Sequence, residues 1–189
     1  MPILQREPDL FPAGLFGGDS AGGGSGRLWS VLHTKARQEK SLARDLHRRS
    51  VPFYLPLVPR RSLMRGRAMT SYVPLFPGYV FLLADQPERL AALTTNRVVR
   101  ALPVPNQERL WQDLRQVQRL IASNQPLTLE AALVPGATVE ITAGPLAGLK
   151  GKIRRGASGC RFVVEVDFIQ QGASVLVDEA YLTRVVDRS

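Results

Sequence analysis

Ten residues, Pro74 to Leu83 (PLFPGYVFLL), limit most narrowly what this chain can fold into. Prolines at 74 and 77 exclude a helix interior or a central strand over the first four positions. Gly78 then frees the backbone, and Tyr79-Val80-Phe81-Leu82-Leu83 predicts a strand. That strand is apolar on both sides, so both of its faces call for cover. A mid-chain strand of this kind takes the middle of a sheet. The protein's own helices close one face, and the other is left to be explained.

The flanking segments predict the rest of that sheet. Leu28–His33 (LWSVLH) alternates as a strand, with Trp29, Val31 and His33 on one side. Thr34 is the expected N-cap of a helix running to about Ser50, with Lys35, Arg37 and Gln38 in its first turn. Pro52 stops it. Val51–Pro59 is extended, and Gly66 between Arg65 and Arg67 marks the tip of a hairpin. A short helix follows Asp85 with Pro87 in its first turn, then a strand at Val98–Leu102, then a helix at Glu108–Ala122. Trp111 belongs to the core of that last helix. The order strand, helix, two strands, helix, strand predicts an α+β, ferredoxin-like sheet with helices on one face. Its other face is open in this reading, and a partner supplies the missing cover.

Charge is concentrated in the same part of the chain. Residues 27–67 hold eleven Lys/Arg and two Asp/Glu, whereas the remainder holds fourteen of each. A concentrated excess marks a polyanion surface, nucleic acid first and a membrane surface second, against the plainer reading of a solvated helix face.

Composition changes on either side of this region. Residues 1–26 are rich in Gly, Pro and Ser and are expected to form a disordered tail, with Leu10, Phe11, Leu15 and Phe16 available to dock on a partner. Residues 123–134 read as a linker. From Pro135 to Ser189, short β-branched runs alternate with glycines at 144, 148, 151, 156, 159 and 172, which predicts a small five-stranded β-barrel. The same glycines and β-branched residues disfavour a helical alternative for this segment.

Two motifs carry a resemblance to a known family. Phe76-Pro77-Gly78-Tyr79-Val80-Phe81, with Trp29 opening the first strand, is similar to the signature of the NusG N-terminal (NGN) domain. Val139–Ile153 (VEITAGPLAGLKGKI) resembles a KOW motif. Over residues 27–187 the chain is identified as a member of the NusG family of transcription elongation factors. The Pro74–Pro77 lead-in and the basic segment before it are closer to the specialised, antiterminating paralogues of the RfaH type, with the general factor as the alternative. Where that group carries a His-Thr-Thr element, this chain has Arg89-Leu90-Ala91.

The resemblance implies a set of partners and contacts. Residues 27–122 would bind RNA polymerase at the β′ clamp through His33, Phe76, Tyr79 and Phe81, with a second contact to the β subunit left open by the departure at Arg89. Lys35, Arg37, Gln38 and Arg97 match positions that touch the non-template DNA strand, and Arg and Gln are residue types that read guanine and adenine. Arg60, Arg61, Arg65 and Arg67 would add sequence-independent phosphate contacts. In the KOW domain, residues 135–189, Phe168 and Ile169 match the loop that meets ribosomal protein S10 or the termination factor Rho.

Other classes find little support. His33 and His47 lack a neighbouring nucleophile arrangement, GPLAG lacks the Lys-Ser/Thr end of a phosphate loop, and Cys160 stands alone. No enzyme, cofactor or metal is expected, and a cytoplasmic monomer without a membrane span is. The alternative is a KOW-type RNA-binding or ribosome-associated module. Seven Lys/Arg against six Asp/Glu in residues 135–189 make its surface too balanced for that role.

Overall fold

Pairing between the alternating segments Leu28–Thr34 and Tyr79–Ala84 organises the first half of the molecule. The computed structural model describes residues 7–18, 26–64, 67–130, 136, 138–156 and 159–185. It separates into two units, divided between Trp111 and Gln112.

In the first unit the elements are β1 (Leu10–Phe11), β2 (Leu28–Thr34), α1 (Glu39–Arg48), β3 (Phe53–Tyr54), β4 (Leu57–Met64), β5 (Arg67–Pro74), β6 (Tyr79–Ala84), α2 (Gln86–Leu93) and β7 (Val98–Pro103). The sheet order is β1-β3-β6-β2-β7, antiparallel throughout. Without β1 this is the ferredoxin-like arrangement, with β6 and β2 in the interior. Register puts Leu28, Ser30 and Leu32 opposite Ala84, Leu82 and Val80 on one face, and Trp29, Val31 and His33 opposite Leu83, Phe81 and Tyr79 on the other. The first face meets the helices. Leu42, Ala43 and Leu46 of α1 and Ala92 of α2 join Leu32, Val80 and Leu82 in one core cluster. Each fully buried leucine there contributes about 1.5–3 kcal/mol.

Helix α1 starts later than predicted, and Thr34 is not its cap. Arg37 takes a left-handed conformation (φ 61°), so the helix can begin only at Glu39, after Gln38. Its C-terminus closes as a Schellman motif on Ser50 (φ 54°). Val51 N–H bonds Leu46 carbonyl at 3.0 Å and Ser50 N–H bonds His47 carbonyl at 3.0 Å. Val51 and Leu46 are buried in the same core cluster, as that motif favours. Helix α2 is held by a reciprocal capping box between Asp85 and Glu88, and Arg27 grips the Glu88 carboxylate with two bonds of 2.6 and 2.8 Å. The guanidinium holds the Glu88 carboxyl below the usual range against the opposing effect of burial.

The expected tail is corrected over residues 7–18. Phe11 and Leu10 pair with Phe53 and Tyr54, and Leu55 N–H bonds Asp9 carbonyl at 2.7 Å. Phe16 is buried, stacked on Trp29 at 6.0 Å and edge-on to Tyr54 at 5.1 Å. A buried phenylalanine with two aromatic neighbours gives about 2–4 kcal/mol, enough to order a short segment that is polar and glycine-rich on average. Tail residues 1–6 and 19–25 lie outside the described set.

β4 and β5 form a separate two-stranded hairpin, as Gly66 predicts, although residues 65–66 themselves lie outside the described residues.

The second unit contains β8 (Thr128–Glu130), β9 (Thr138–Ile141), β10 (Lys150–Gly156), β11 (Gly159–Val166), β12 (Gln171–Leu176) and β13 (Leu182–Arg184). They make one antiparallel sheet in the order β13-β9-β10-β11-β12-β8. This departs from the expected five-stranded closed barrel: there are six strands, and among the described residues no ladder joins β8 to β13. Helix α3 (Gln107–Ala122) crosses the division between units. In its second half, Asp113, Gln116 and Arg119 bond the backbone at Asp167, Lys150 and Ala147. The predicted linker 123–134 includes β8, which is tied down by Glu130. Its buried carboxylate takes bonds from Arg154 (2.5 Å) and Ser174 (2.6 Å). Gly151 lies where β10 crosses β11, and a Cβ there would fall 2.3 Å from Val163 carbonyl.

Candidate macromolecular interface

The turn Leu75-Phe76-Pro77-Gly78 is fixed from three sides. Leu75 N–H bonds Pro56 carbonyl at 2.8 Å, Gly78 N–H bonds Glu39 Oε1 at 2.8 Å, and Thr34 N–H bonds Gly78 carbonyl at 2.8 Å. Glu39 opens α1, where a negative charge is favoured, and it is buried. Gly78 has φ 83°, and a Cβ there would sit 3.5 Å from the His33 ring. The next residue, Tyr79, stands directly opposite His33, with ring centroids 5.5 Å apart and both side chains half-buried. Arg100 of β7 lies on the other side of His33 in register and is exposed.

Of the four residues expected at a polymerase contact, these two, His33 and Tyr79, remain accessible. Phe76 and Phe81 do not. They are 1% and 0% exposed and meet edge to face at 6.3 Å. The face is thus not open along its length, as its topology alone had suggested. Phe16 covers Trp29 and Tyr54, and Trp29, Val31, Tyr54 and Phe81 are all buried. At the far end of β2, the Gln107 side-chain amide bonds both the N–H and the carbonyl of Trp29, at 2.6 and 3.0 Å, replacing the strand that Pro103 ends.

Lys35, Arg37, Gln38 and Arg97 are brought together on the loops before α1 and β7. Lys35 N–H bonds Arg97 carbonyl at 2.8 Å, and Lys35 Nζ donates to Asn96 Oδ1 at 2.8 Å. Arg97 donates from Nη1 to Gln38 Oε1 (2.6 Å) and from Nε to Asp45 Oδ2 (2.7 Å). Arg48 also pairs with Asp45. Burial raises the Asp45 carboxyl, but the hydrogen bonds from Arg97 and Arg48 outweigh it and hold the pKa below its usual value. Lys35 and Arg37 are exposed. Asn96 and Asp45 escaped sequence reasoning. The signal was present in composition: Glu39 and Asp45 are the two acids in the basic segment 27–67, and each anchors one part of this surface.

On the hairpin, Arg60 and Arg61 are exposed on opposite faces, opposite Ser71 and Thr70. Arg67 pairs with Met64 in the backbone register, and Arg65 lies outside the described residues. Leu63 and Met69 accompany them, 80% and 40% exposed, an apolar component that the arginines obscured in the sequence. In the second unit Phe168 is half-buried and Ile169 is buried, within the 3-10 turn Asp167–Ile169. The side chain expected to make the contact at Ile169 packs inward instead. Among the described residues no three His, Cys, Asp or Glu side chains converge as a metal site, and no helix is long and apolar enough to cross a membrane.

The sequence profile described as transcription termination factor NusG matches residues 27–135. No curated protein matches the sequence. Among solved structures, one described as domain interaction in Thermotoga maritima NusG is 17% identical, with 85% of this chain and 98% of that chain covered and a TM-score of 0.46. The MjSpt4:Spt5 complex in its conformation B is 15% identical, with 86% and 99% covered and a TM-score of 0.28.

Proposed function

The chain belongs to the NusG family of transcription factors, and we propose that it is an elongation factor that docks on RNA polymerase and reduces pausing or termination. The observation that carries this reading is the His33–Tyr79 platform, two half-buried aromatic rings 5.5 Å apart on a sheet face where Trp29, Val31, Tyr54 and Phe81 are buried. Gly78 and the buried Glu39 fix its angle, so it is preorganised for a protein anchor. The partner surface is the coiled-coil tip of the β′ clamp. Binding there favours the closed clamp over the paused, opened state by the difference in affinity for the two.

Lys35, Arg37 and Arg97, beside the platform in the same unit, take the non-template strand. Arg37 is exposed and Lys35 is held only by a surface amide, so both are available to phosphates or bases. Arg60 and Arg61 add backbone phosphate contacts. The second unit, a KOW module in this reading, recruits a ribosomal protein or Rho through the turn that carries Phe168. Specialised, RfaH-type antitermination is the finer form of the same proposal. The protein acts by binding and not by catalysis.

The test is transcription in vitro across a pause site, with and without the protein, on templates of differing non-template sequence. Shortened pause dwell is expected. Unchanged dwell on every template at saturating protein would overturn the reading. The competing view of the second unit as an RNA binder meets the pairing of its cations: Lys152 with Glu165 at 3.0 Å and Arg154 with Glu130 at 2.5 Å.

A further inference from the structure

We infer that Lys35, Arg37, Gln38, Asn96 and Arg97 form a surface of hydrogen-bond donors that selects guanine over adenine in an unpaired DNA strand. The inference rests on the reading above, in which this surface takes the non-template strand, and it names the base. Its basis is the direction of each hydrogen bond. Guanidinium and ammonium groups only donate. Arg97 Nη1 therefore meets the oxygen of the Gln38 amide, at 2.6 Å, and Lys35 Nζ meets the oxygen of the Asn96 amide, at 2.8 Å. Each amide is left with its NH2 group to offer. Among the described residues neither Gln38 Nε2 nor Asn96 Nδ2 has a partner, and neither is a buried orphan, so both meet solvent. The carboxylates nearby are engaged. Asp45 takes Arg97 Nε on Oδ2 at 2.7 Å and Arg48 on Oδ1, while Glu39 Oε1 holds the Gly78 N–H. Arg37 adds an exposed guanidinium.

The backbone holds this arrangement before any ligand arrives. Arg37 (φ 61°) and Asn96 (φ 58°) are both left-handed, a conformation uncommon outside glycine, and the Lys35 N–H bond to the Arg97 carbonyl ties their two loops at 2.8 Å. Glutamine reads adenine by accepting from N6 while donating to N7, which requires its oxygen. Here that oxygen is committed to Arg97, so Gln38 has only its N–H groups to give. Guanine presents O6 and N7, two adjacent acceptors, where adenine puts an amino donor beside N7. Donors from Arg37 and Gln38 thus suit the guanine edge and oppose the adenine amino group. The residue type at position 38 points to adenine, and the direction of its bond reverses that preference.

The test measures equilibrium binding of the full-length chain, at low salt, to single-stranded oligodeoxycytidine carrying one central guanine, 7-deazaguanine or adenine. The guanine oligonucleotide should bind about five- to hundredfold more tightly than the adenine one, and 7-deazaguanine, which lacks the N7 acceptor, should lose most of that factor. Gln38→Glu keeps an oxygen for Arg97 and turns a second oxygen outward in place of the NH2 group. It should weaken all three oligonucleotides through its charge and bring the guanine-to-adenine ratio to about one or below, at a matched thermal midpoint. Because the readout is a ratio, a general loss of phosphate binding does not move it. Equal affinity of the unmodified chain for guanine and adenine would overturn the selectivity while leaving strand binding intact. A guanine preference that persists unchanged in Gln38→Glu would also overturn it. Tighter binding of the same guanine oligonucleotide as RNA would place the base in the transcript and contradict the non-template assignment. No binding to any oligonucleotide would remove the strand-contact reading and the inference with it.

Discussion

The two units use their cations differently. In the second unit, three cations on β10 and β11 meet carboxylates. Lys152 faces Glu165, while Arg154 and Arg161 converge on Glu130 at 2.5 and 3.9 Å. In the first unit the basic segment has two acids, and both are committed to positioning: Glu39 to the Gly78 backbone and Asp45 to Arg97 and Arg48. Lys35, Arg37, Arg60 and Arg61 remain exposed around them. Arginine in a strand therefore says little about nucleic acid until its counter-charge is located. Matched cations are part of the fold, whereas the unmatched ones beside the aromatic platform are the ones the proposed function assigns to a partner.

The largest effect should come from breaking the match. Glu130→Ala leaves Arg161 and Ser174 without their buried acceptor and should destabilise the second unit by about 3 kcal/mol. Denaturant unfolding followed by resonances of β10–β12 should show this, with those of β2 and β6 unmoved. Next, Glu39→Ala removes the acceptor for Gly78 N–H and should cost the first unit about 2 kcal/mol. Glu39→Gln keeps an acceptor at that place and should recover most of the loss. The two variants compared by thermal unfolding isolate the hydrogen bond from the packing.

Much of the first unit was legible because its signals were local and repeated. Alternation in Leu28–His33 and Tyr79–Leu83, the prolines at 74 and 77, and Asp85 before Pro87 each fixed an element and agreed with one topology. Lys35, Arg37, Gln38 and Arg97 were grouped by resemblance alone, and the fold places them on neighbouring loops. What escaped depended on contacts distant in sequence. Phe16 in a glycine-rich stretch gives no periodic signal, yet Trp29 and Tyr54 bury it. Phe76 and Phe81 are enclosed, which aromatic type alone does not reveal in a sequence. Likewise, Glu130 in an apparent linker has no local pattern, and Thr128–Glu130 becomes a strand through its ladder with β12 and the bonds of Glu130 to Arg154 and Ser174.

Acid provides a smaller and more selective perturbation. Asp45 and Glu88, both in the first unit, have lowered carboxyl pKa values. Their contribution to stability is complete above the ordinary carboxylate pKa of about 4 and is lost as pH falls through the lowered folded values. The thermal midpoint of the first unit should fall by several degrees as pH drops from about 5 to 2, and Glu88→Gln should flatten that response. The smallest effect concerns the hairpin. Arg60→Ala and Arg61→Ala should each reduce the slope of log affinity against log salt for single-stranded DNA by about 0.7. Arg154→Ala, in the matched set, should leave that slope unchanged.

The most direct test of the central claim is the equilibrium affinity of the full-length chain for RNA polymerase with Tyr79 intact and with Tyr79→Ala. Tyr79 is half-buried beside His33 and outside the core cluster beneath α1, so the substitution should leave the fold standing, which a matched thermal midpoint would verify. Loss of a central aromatic anchor should weaken binding by at least about tenfold, corresponding to more than ~1.4 kcal/mol. Equal affinity of the two folded proteins would contradict the assignment of the His33–Tyr79 platform as the docking site.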